Sequence, residues 1–365
     1  MGYPMSIRYD IVFLGYGVSS LITLYKNISK FKDKKILVLE KGPEVDIGKN
    51  ICGFWQESDL PMTHKWERYF FKLDGDEQAP YSHYYGKLDF EKMDHLIKEN
   101  LQIDLRFNSQ YVEFTNDANG FCIKTVEDIF QGTELYDSTP LQRVADSLKQ
   151  NFLGHELEFE VPHEVKFPVI MDLERFDEAS NDLFFYYLLP LSSTRLLIEA
   201  TTYSLNNLDE ECLARAINKY VECHFSKKNF SFTKSERGSL QLLKVYNRNQ
   251  IDGYYPIGVR AGMMRAATGY SAAMVDLNQN YGKLWGGVLW ILDRLLLKVM
   301  IVDPIDKNIL FKKFTSRMGP REFASFMSPS PSLSSLLCAI KTMPKMVFVK
   351  NLFTNCKSRI TYEVP

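Results

Sequence analysis

The chain has 365 residues, 45% of them hydrophobic and 13% aromatic, with a formal net charge of -1, enough for a large core and, by length, two structural units. A near-neutral chain without a long basic run is unsuited to nucleic acid, whose binding rests on neutralising phosphates. Six widely spaced cysteines (Cys52, Cys122, Cys212, Cys223, Cys338, Cys356) and six histidines form no CxxC pair or metal spacing, so neither a metal site nor a disulfide framework is expected, and a reducing cytoplasm fits best.

The chain begins "MGYPMSIRYD", with charge and a strand where a signal peptide needs an apolar stretch, so secretion is not expected. In "IVFLGYGVSSLI" residues 11–14 read as a buried parallel strand, followed by Gly15 and Gly17 for a tight turn and close backbone approach to a pyrophosphate. Ser20 stands where the third glycine of GxGxxG is usual, a small residue still able to let helix and strand pack closely. The spacing predicts a helix over 19–29 whose first N–H groups and positive dipole end face phosphates. A second strand, "KKILVLEKG", ends in Glu40, where a ribose hydroxyl needs an acceptor. This βαβ pattern predicts an adenine dinucleotide, FAD or NAD; its N-terminal place before a long strand-rich middle favours FAD by analogy.

Over 182–204, "DLFFYYLLPLSSTRLLIEATTYS", two strands flank a turn at 190–194. Alternation puts Arg195, Leu197, Glu199 and Thr201 on one face and Leu196, Ile198 and Ala200 on the other. If the first face is buried, desolvation keeps Glu199 protonated and makes it a proton donor; if it faces water, Glu199 is a surface carboxylate paired with Arg195. "YPIGVRAGMMRAATGYSAAM" sets Gly258, Gly262 and Gly269 in a small-residue loop able to bring backbone N–H groups to a cofactor, or simply to turn tightly. "LWGGVLWILDRLLLKVMIVDP" is too interrupted by Asp293, Arg294 and Lys298 to span a bilayer and reads as an amphipathic helix on a core. "FMSPSPSLSS" is a loosening, and the last segment interleaves apolar residues with Lys341, Lys345, Lys350, Lys357 and Arg359.

Taken in order, "GYGVSS", "CGFWQESDL", "LYDSTP", "QNFLGHELE", "FPVIMD", "LPLSSTRLLIEATTYS", "ERGSL" and "IGVRAGMMRAATGYS" resemble the bacterial flavin-dependent lycopene cyclases, over about residues 9–353. The resemblance implies an α/β (α+β) fold like that of the aromatic-hydroxylase flavoproteins: a Rossmann-type FAD-binding domain from 1–110 and 235–285, an antiparallel-sheet substrate domain over 111–234 and a C-terminal helical region over 286–365. It implies cyclisation of lycopene ends to β-rings, an isomerase or intramolecular lyase reaction with reduced FAD and no net redox change, NADPH serving as reductant directly or through a partner. It assigns the proton donor to Glu199, with Asp172 and Glu156 as rival acids. Cofactor contacts fall on Gly15, Gly17, Ser20, Glu40, Asp137, Gly258, Gly262, Thr268 and Gly269.

A hydrocarbon substrate calls for an apolar, aromatic pocket, for which Trp55, Phe185 and Tyr187 are the first candidates, beside Phe54, Phe184 and Tyr186. A lipid-soluble substrate further implies a cytoplasmic protein held at the inner membrane face through the basic and apolar C-terminal segment, near a reductase or other carotenoid enzymes; the alternative for that segment is a helix packed on the domain with a solvated basic face. The competing reading is a redox flavoenzyme, hydroxylase or reductase, acting on a prenyl or polyene lipid. The chain departs from the family pattern at Thr139, where arginine usually follows "DS", at Gln241 in place of a proline, and at Arg265, Ala266 and Ala267 before "TGY".

Overall fold

The computed structural model describes residues 8–44, 49–73, 75–79, 82–175, 181–247, 251–278, 286–353 and 360–364. The first strand, Arg8–Leu14, pairs in parallel with Ile36–Leu39 on one side and Ile129–Asp137 on the other. Val12, Phe13 and Leu14 are wholly buried, as befits a central strand covered on both faces. Ile103–Arg106 extends the sheet beyond Ile36–Leu39, while the hairpin of Tyr111–Asp117 and Gly120–Thr125 extends it past Ile129–Asp137. Helices Val18–Lys26 and Phe90–Asn100 pack together through a core that includes Leu21, Leu24, Phe90 and Met93. Asp89 caps the second of these, accepting from the Lys92 N–H at 2.9 Å.

A second sheet is antiparallel, with strands in the order Val169–Asp172, Leu183–Pro190, Arg195–Ser204, Lys149–Phe159 and Phe230–Gln241. One face carries Leu157, Leu188, Leu196, Ile198 and Ala200 and buries them against Leu213, Ile217 and Tyr220 of helix Glu210–Phe225. The other face, with Phe185, Leu189, Leu197 and Tyr203, packs into the core of the C-terminal helices. A small sheet of Cys52–Trp55, Tyr84–Leu88 and Met62–Trp66 contributes Phe54, Trp66 and Tyr85 to that core. The C-terminal helices are Gly286–Val302, Lys307–Arg317, Pro320–Met327, Leu333–Thr342 and Lys345–Leu352, before Thr361–Val364 pairs with Lys244–Asn247. No helix among the described residues is long and apolar enough to cross a membrane.

The two layers divide the chain differently from the sequence-based boundaries. Residues 111–137, expected in the substrate domain, complete the first sheet, because Ile129–Asp137 is the strand that pairs with Arg8–Leu14. Phe230–Gln241, partly assigned to the dinucleotide layer, is the outer strand of the second sheet, and the chain rejoins the first only at Tyr254–Pro256. Strand pairing is set by contacts distant in sequence, and alternation within a strand does not reveal its partner.

Candidate active site

Gly15 holds φ at 89°, and a Cβ there would stand 2.7 Å from Ser138 Oγ, so only glycine suits this turn. The Ser20 hydroxyl is wholly buried and donates to Ser138 Oγ at 3.0 Å, and Ser138 Oγ donates to the Leu14 carbonyl at 2.7 Å. A serine in the third-glycine position thus ties helix to strand. Gly17 caps helix Val18–Lys26 in extended backbone, and a Cβ added to it would meet nothing within 4 Å. The helix has no side-chain cap and no acidic residue in its first turn, so its leading N–H groups and positive dipole end face open space of a kind that favours an anion.

Glu40 reaches over the turn: its Oε2 accepts from the Tyr16 N–H and its Oε1 from the Gly42 N–H, both at 2.8 Å. Carboxylate oxygens have further lone pairs for ribose hydroxyls. Asp137 is buried and occupied, accepting from Thr139 N and Oγ1 at 2.8 and 2.7 Å and from the Tyr254 hydroxyl at 2.8 Å, with Arg260 Nε at 3.3 Å. Thr139, where the family usually has arginine, therefore caps Asp137. Gly258 fits closely under Ser19, and Gly262 lies against the Val245 carbonyl, where a Cβ would come within 2.9 Å. Gly258 thus joins the loop to the helix start, whereas Gly262 serves chain packing. The open space, donor groups and acceptor together fit a dinucleotide.

Beside this turn lies a cavity of about 440 Å³, walled by Phe54, Trp55, Tyr187, Glu199, Thr268 and Tyr270 among others. Glu199 sits mid-strand on the cavity face, grouped with Leu197 and Thr201 as alternation predicts, and its Oε1 accepts from Thr201 Oγ1 at 2.7 Å. Burial pushes its carboxyl up to about 8, with the Glu236 carboxylate adding to the rise and the Thr201 hydrogen bond opposing it. The Tyr270 hydroxyl, raised to about 12 by burial, is hydrogen-bonded with Tyr187 and Tyr85. The tyrosines beside Glu199 are therefore uncharged at neutral pH.

Of the aromatic candidates, Trp55 and Tyr187 line the cavity, while Phe185 is fully buried beneath it, 5.2 Å from the Tyr187 ring and 6.0 Å from that of Tyr203. Phe184 and Tyr186 face the helix side of the sheet. Asp172 does not reach the cavity: Oδ2 accepts from the Tyr220 hydroxyl at 2.9 Å and the Leu73 N–H at 3.3 Å, and Oδ1 accepts from the Glu174 N–H at 3.1 Å. Burial raises its pKa, but its partners belong to the opposite face. Glu156 is bound to Arg195 at 2.7 Å and to Asn50. A cleft of about 470 Å³ on that opposite face is lined by Arg175, Tyr186 and Lys219 and contains none of the glycine loops. Sequence reasoning passed over Tyr85, Gly154, Glu236 and Tyr270; the last three lay inside quoted motifs, but nothing local marks which face they occupy.

A parallel dinucleotide layer beside an antiparallel sheet, with a cavity between them, is the fold of flavin-dependent oxygenases and reductases. The chain is similar to a geranylgeranyl bacteriochlorophyll reductase-like protein of Thermoplasma acidophilum (TM-score 0.60, 12% identity, 94% of this chain and 98% of that one). It is also similar to the flavin-dependent monooxygenase PieE (TM-score 0.52, 10% identity, 96% and 72%). In sequence, a family model described as lycopene cyclase protein matches residues 10–280. The lycopene beta-cyclase of Pantoea ananas is 25% identical over 282 residues, 73% of this chain and 72% of that protein. The lycopene beta-cyclase of Paracoccus sp. (strain N81106 / MBIC 01143) is 36% identical over 128 residues, which span 33% of this chain and 32% of that relative. The chain belongs to the lycopene cyclase family.

Proposed function

We propose that the protein is an FAD-dependent lycopene cyclase that turns the open ends of lycopene into β-rings without net redox change. The observation that carries this reading is Glu199, a carboxyl raised to about 8 in an aromatic cavity beside the glycine turn. A hydrocarbon offers no hydrogen-bonding handle, so shape and apolar surface must hold it, and Trp55, Phe54 and Tyr187 supply that surface. Glu199 protonates the terminal double bond, a neighbouring alkene closes on the cation, and loss of a ring proton leaves a product isomeric with its substrate.

The turn at Gly15 and Gly17, Glu40, and the loop at Gly258, Thr268 and Gly269 would hold the FAD. Reduced, by NADPH directly or through a partner reductase, a bound flavin would supply the negative charge that stabilises a cation in a dry site. Mass spectrometry of lycopene after incubation with reduced FAD tests the reading: the expected product has unchanged mass. A gain of oxygen or hydrogen would instead identify a redox flavoenzyme. Gly17→Val, which fills the open space above the helix start, is expected to lose both flavin and product.

The same reading puts the protein on the inner face of the cell membrane, where its substrate dissolves. Leu333, Leu337, Ile340, Met346, Val349 and Phe353 are exposed on the last two helices and just beyond them, with Lys341 and Lys345 among them. Such an apolar patch is unusual on a soluble surface, and each basic residue reaching an anionic leaflet contributes on the order of 1 kcal/mol. Lys357 and Arg359 lie outside the described residues. The protein is expected to float with anionic liposomes, less so in high salt, and Met346→Asp with Phe353→Asp to reduce flotation. Absence of flotation at both salt concentrations discards the membrane assignment.

A further inference from the structure

One row on the cavity face of the antiparallel sheet crosses four strands: Tyr187, Glu199, Gly154 and Glu236 stand directly opposite one another in register. Residues in such a row project to the same face, so the two carboxyls flank a residue with no side chain. A Cβ built on Gly154 would lie 3.1 Å from Glu236 Cγ and 3.5 Å from its Oε1. The Glu236 side chain therefore lies over the glycine. Its other oxygen, Oε2, is held at 3.2 Å by both the backbone N–H and Nδ2 of Asn50. Asn50 Nδ2 also donates to Glu156 Oε1 at 3.0 Å, and Glu156 Oε2 meets Arg195 at 2.7 Å.

Glu236 belongs to the outer strand of the sheet, between exposed Ser235 and Arg237, and is itself only partly covered. It thus stands between bulk water and Glu199. Other ionisable groups acting on the two carboxyls come from several elements: Glu156 and Lys234 act on Glu236, Tyr187 and Tyr270 couple to Glu199, and Cys52 of the small sheet couples to both.

We propose that Glu236, across Gly154 from Glu199, is the positioning residue that keeps Glu199 protonated. This rests on the cyclase reading above. When Glu199 gives its proton to the substrate it is left as a carboxylate, walled off by hydrocarbon. That carboxylate recovers its proton from water reaching the site at the sheet edge beside Glu236. The ring proton released on product formation returns to solvent, so the cycle balances. Negative charge on Glu236 makes ionisation of Glu199 harder, as two like charges on one face resist joint ionisation.

The test is Glu236→Gln, read in two ways. In the pH profile of ring formation, the alkaline limb is expected to move down by about one pH unit, a loss of about fivefold at pH 8 that disappears at acidic pH, with KM and FAD affinity unchanged. In carbon-13 NMR of labelled glutamate carboxyls, which needs no turnover, the Glu199 midpoint is expected to fall by a similar amount. A rate reduced evenly at every pH with an unmoved Glu199 titration makes Glu236 merely structural and overturns the proposal. A shifted titration in a protein that forms no rings upholds the pair and rejects the cyclase reading instead.

Discussion

Glu199→Gln is expected to reduce ring formation by more than the roughly 10²- to 10⁴-fold usually contributed by a general acid, because no cation forms without a donated proton. The substitution keeps shape and can still accept from Thr201 Oγ1, which lies 2.7 Å from Glu199 Oε1, so FAD binding should be unchanged. The environment makes the acid effective. A glutamate at its ordinary value would be protonated in only about one molecule in 500 at pH 7, whereas burial pushes Glu199 up to about 8. The reactive form is the protonated one, so turnover is expected to hold below pH 8 and to fall as pH rises through it. Rings formed in deuterated buffer should each carry about one solvent deuterium, delivered by an acid that exchanges with water. Near-normal turnover by Glu199→Gln, or rings without solvent deuterium, would place the acid elsewhere.

The second large effect is on stability, at Arg265 and Asp293. Arg265 is wholly buried and Asp293 nearly so, with Arg265 Nη2 2.8 Å from Asp293 Oδ1 and Nε 3.4 Å from Oδ2. The guanidinium also donates to the Phe326 carbonyl and lies over the Phe326 ring, 5.0 Å from its centroid. It thereby joins helices Gly286–Val302 and Pro320–Met327 to the loop bearing Thr268 and Tyr270. That loop closes on Arg265 itself, whose carbonyl accepts from the Thr268 and Gly269 N–H groups at 3.2 and 2.8 Å and whose N–H donates to the Tyr270 carbonyl at 3.0 Å.

Asp293→Ala leaves this guanidinium buried without its carboxylate and is expected to cost about 3–5 kcal/mol, seen as a lower urea midpoint with unchanged slope. The double replacement Arg265→Met with Asp293→Leu removes both charges and should cost less than the single one, since no uncompensated charge remains. Equal losses in the two variants would mean that packing, not charge pairing, makes the site stable. The departure from the family pattern at Arg265 thus has a structural partner in Asp293, one of the three charged residues that interrupt the apolar helix. Gln241, in place of the usual proline, likewise uses its side chain, accepting from the Val144 N–H at 2.6 Å and the Ser147 hydroxyl at 3.1 Å.

Local chemistry was sufficient for several features. A buried apolar run, two glycines and an amphipathic segment specify a strand, a turn and a helix from neighbouring residues alone, and Arg8–Leu14, Gly15 and Val18–Lys26 take those forms. Alternation of period two put Glu199 with Leu197 and Thr201, and the strand keeps that grouping. Alternation does not say which face is dry, what covers it or which strand lies alongside. Those depended on tertiary packing: helix Glu210–Phe225 takes one face of the antiparallel sheet, leaving Asp172 there with Tyr220 and Glu199 at the cavity. The neighbours of Glu199 in its row, Gly154 and Glu236, are 45 and 37 residues away in sequence and meet it only through strand register. Register is a sum of many long-range contacts, so no short stretch of sequence holds the information that brings two glutamates to one glycine.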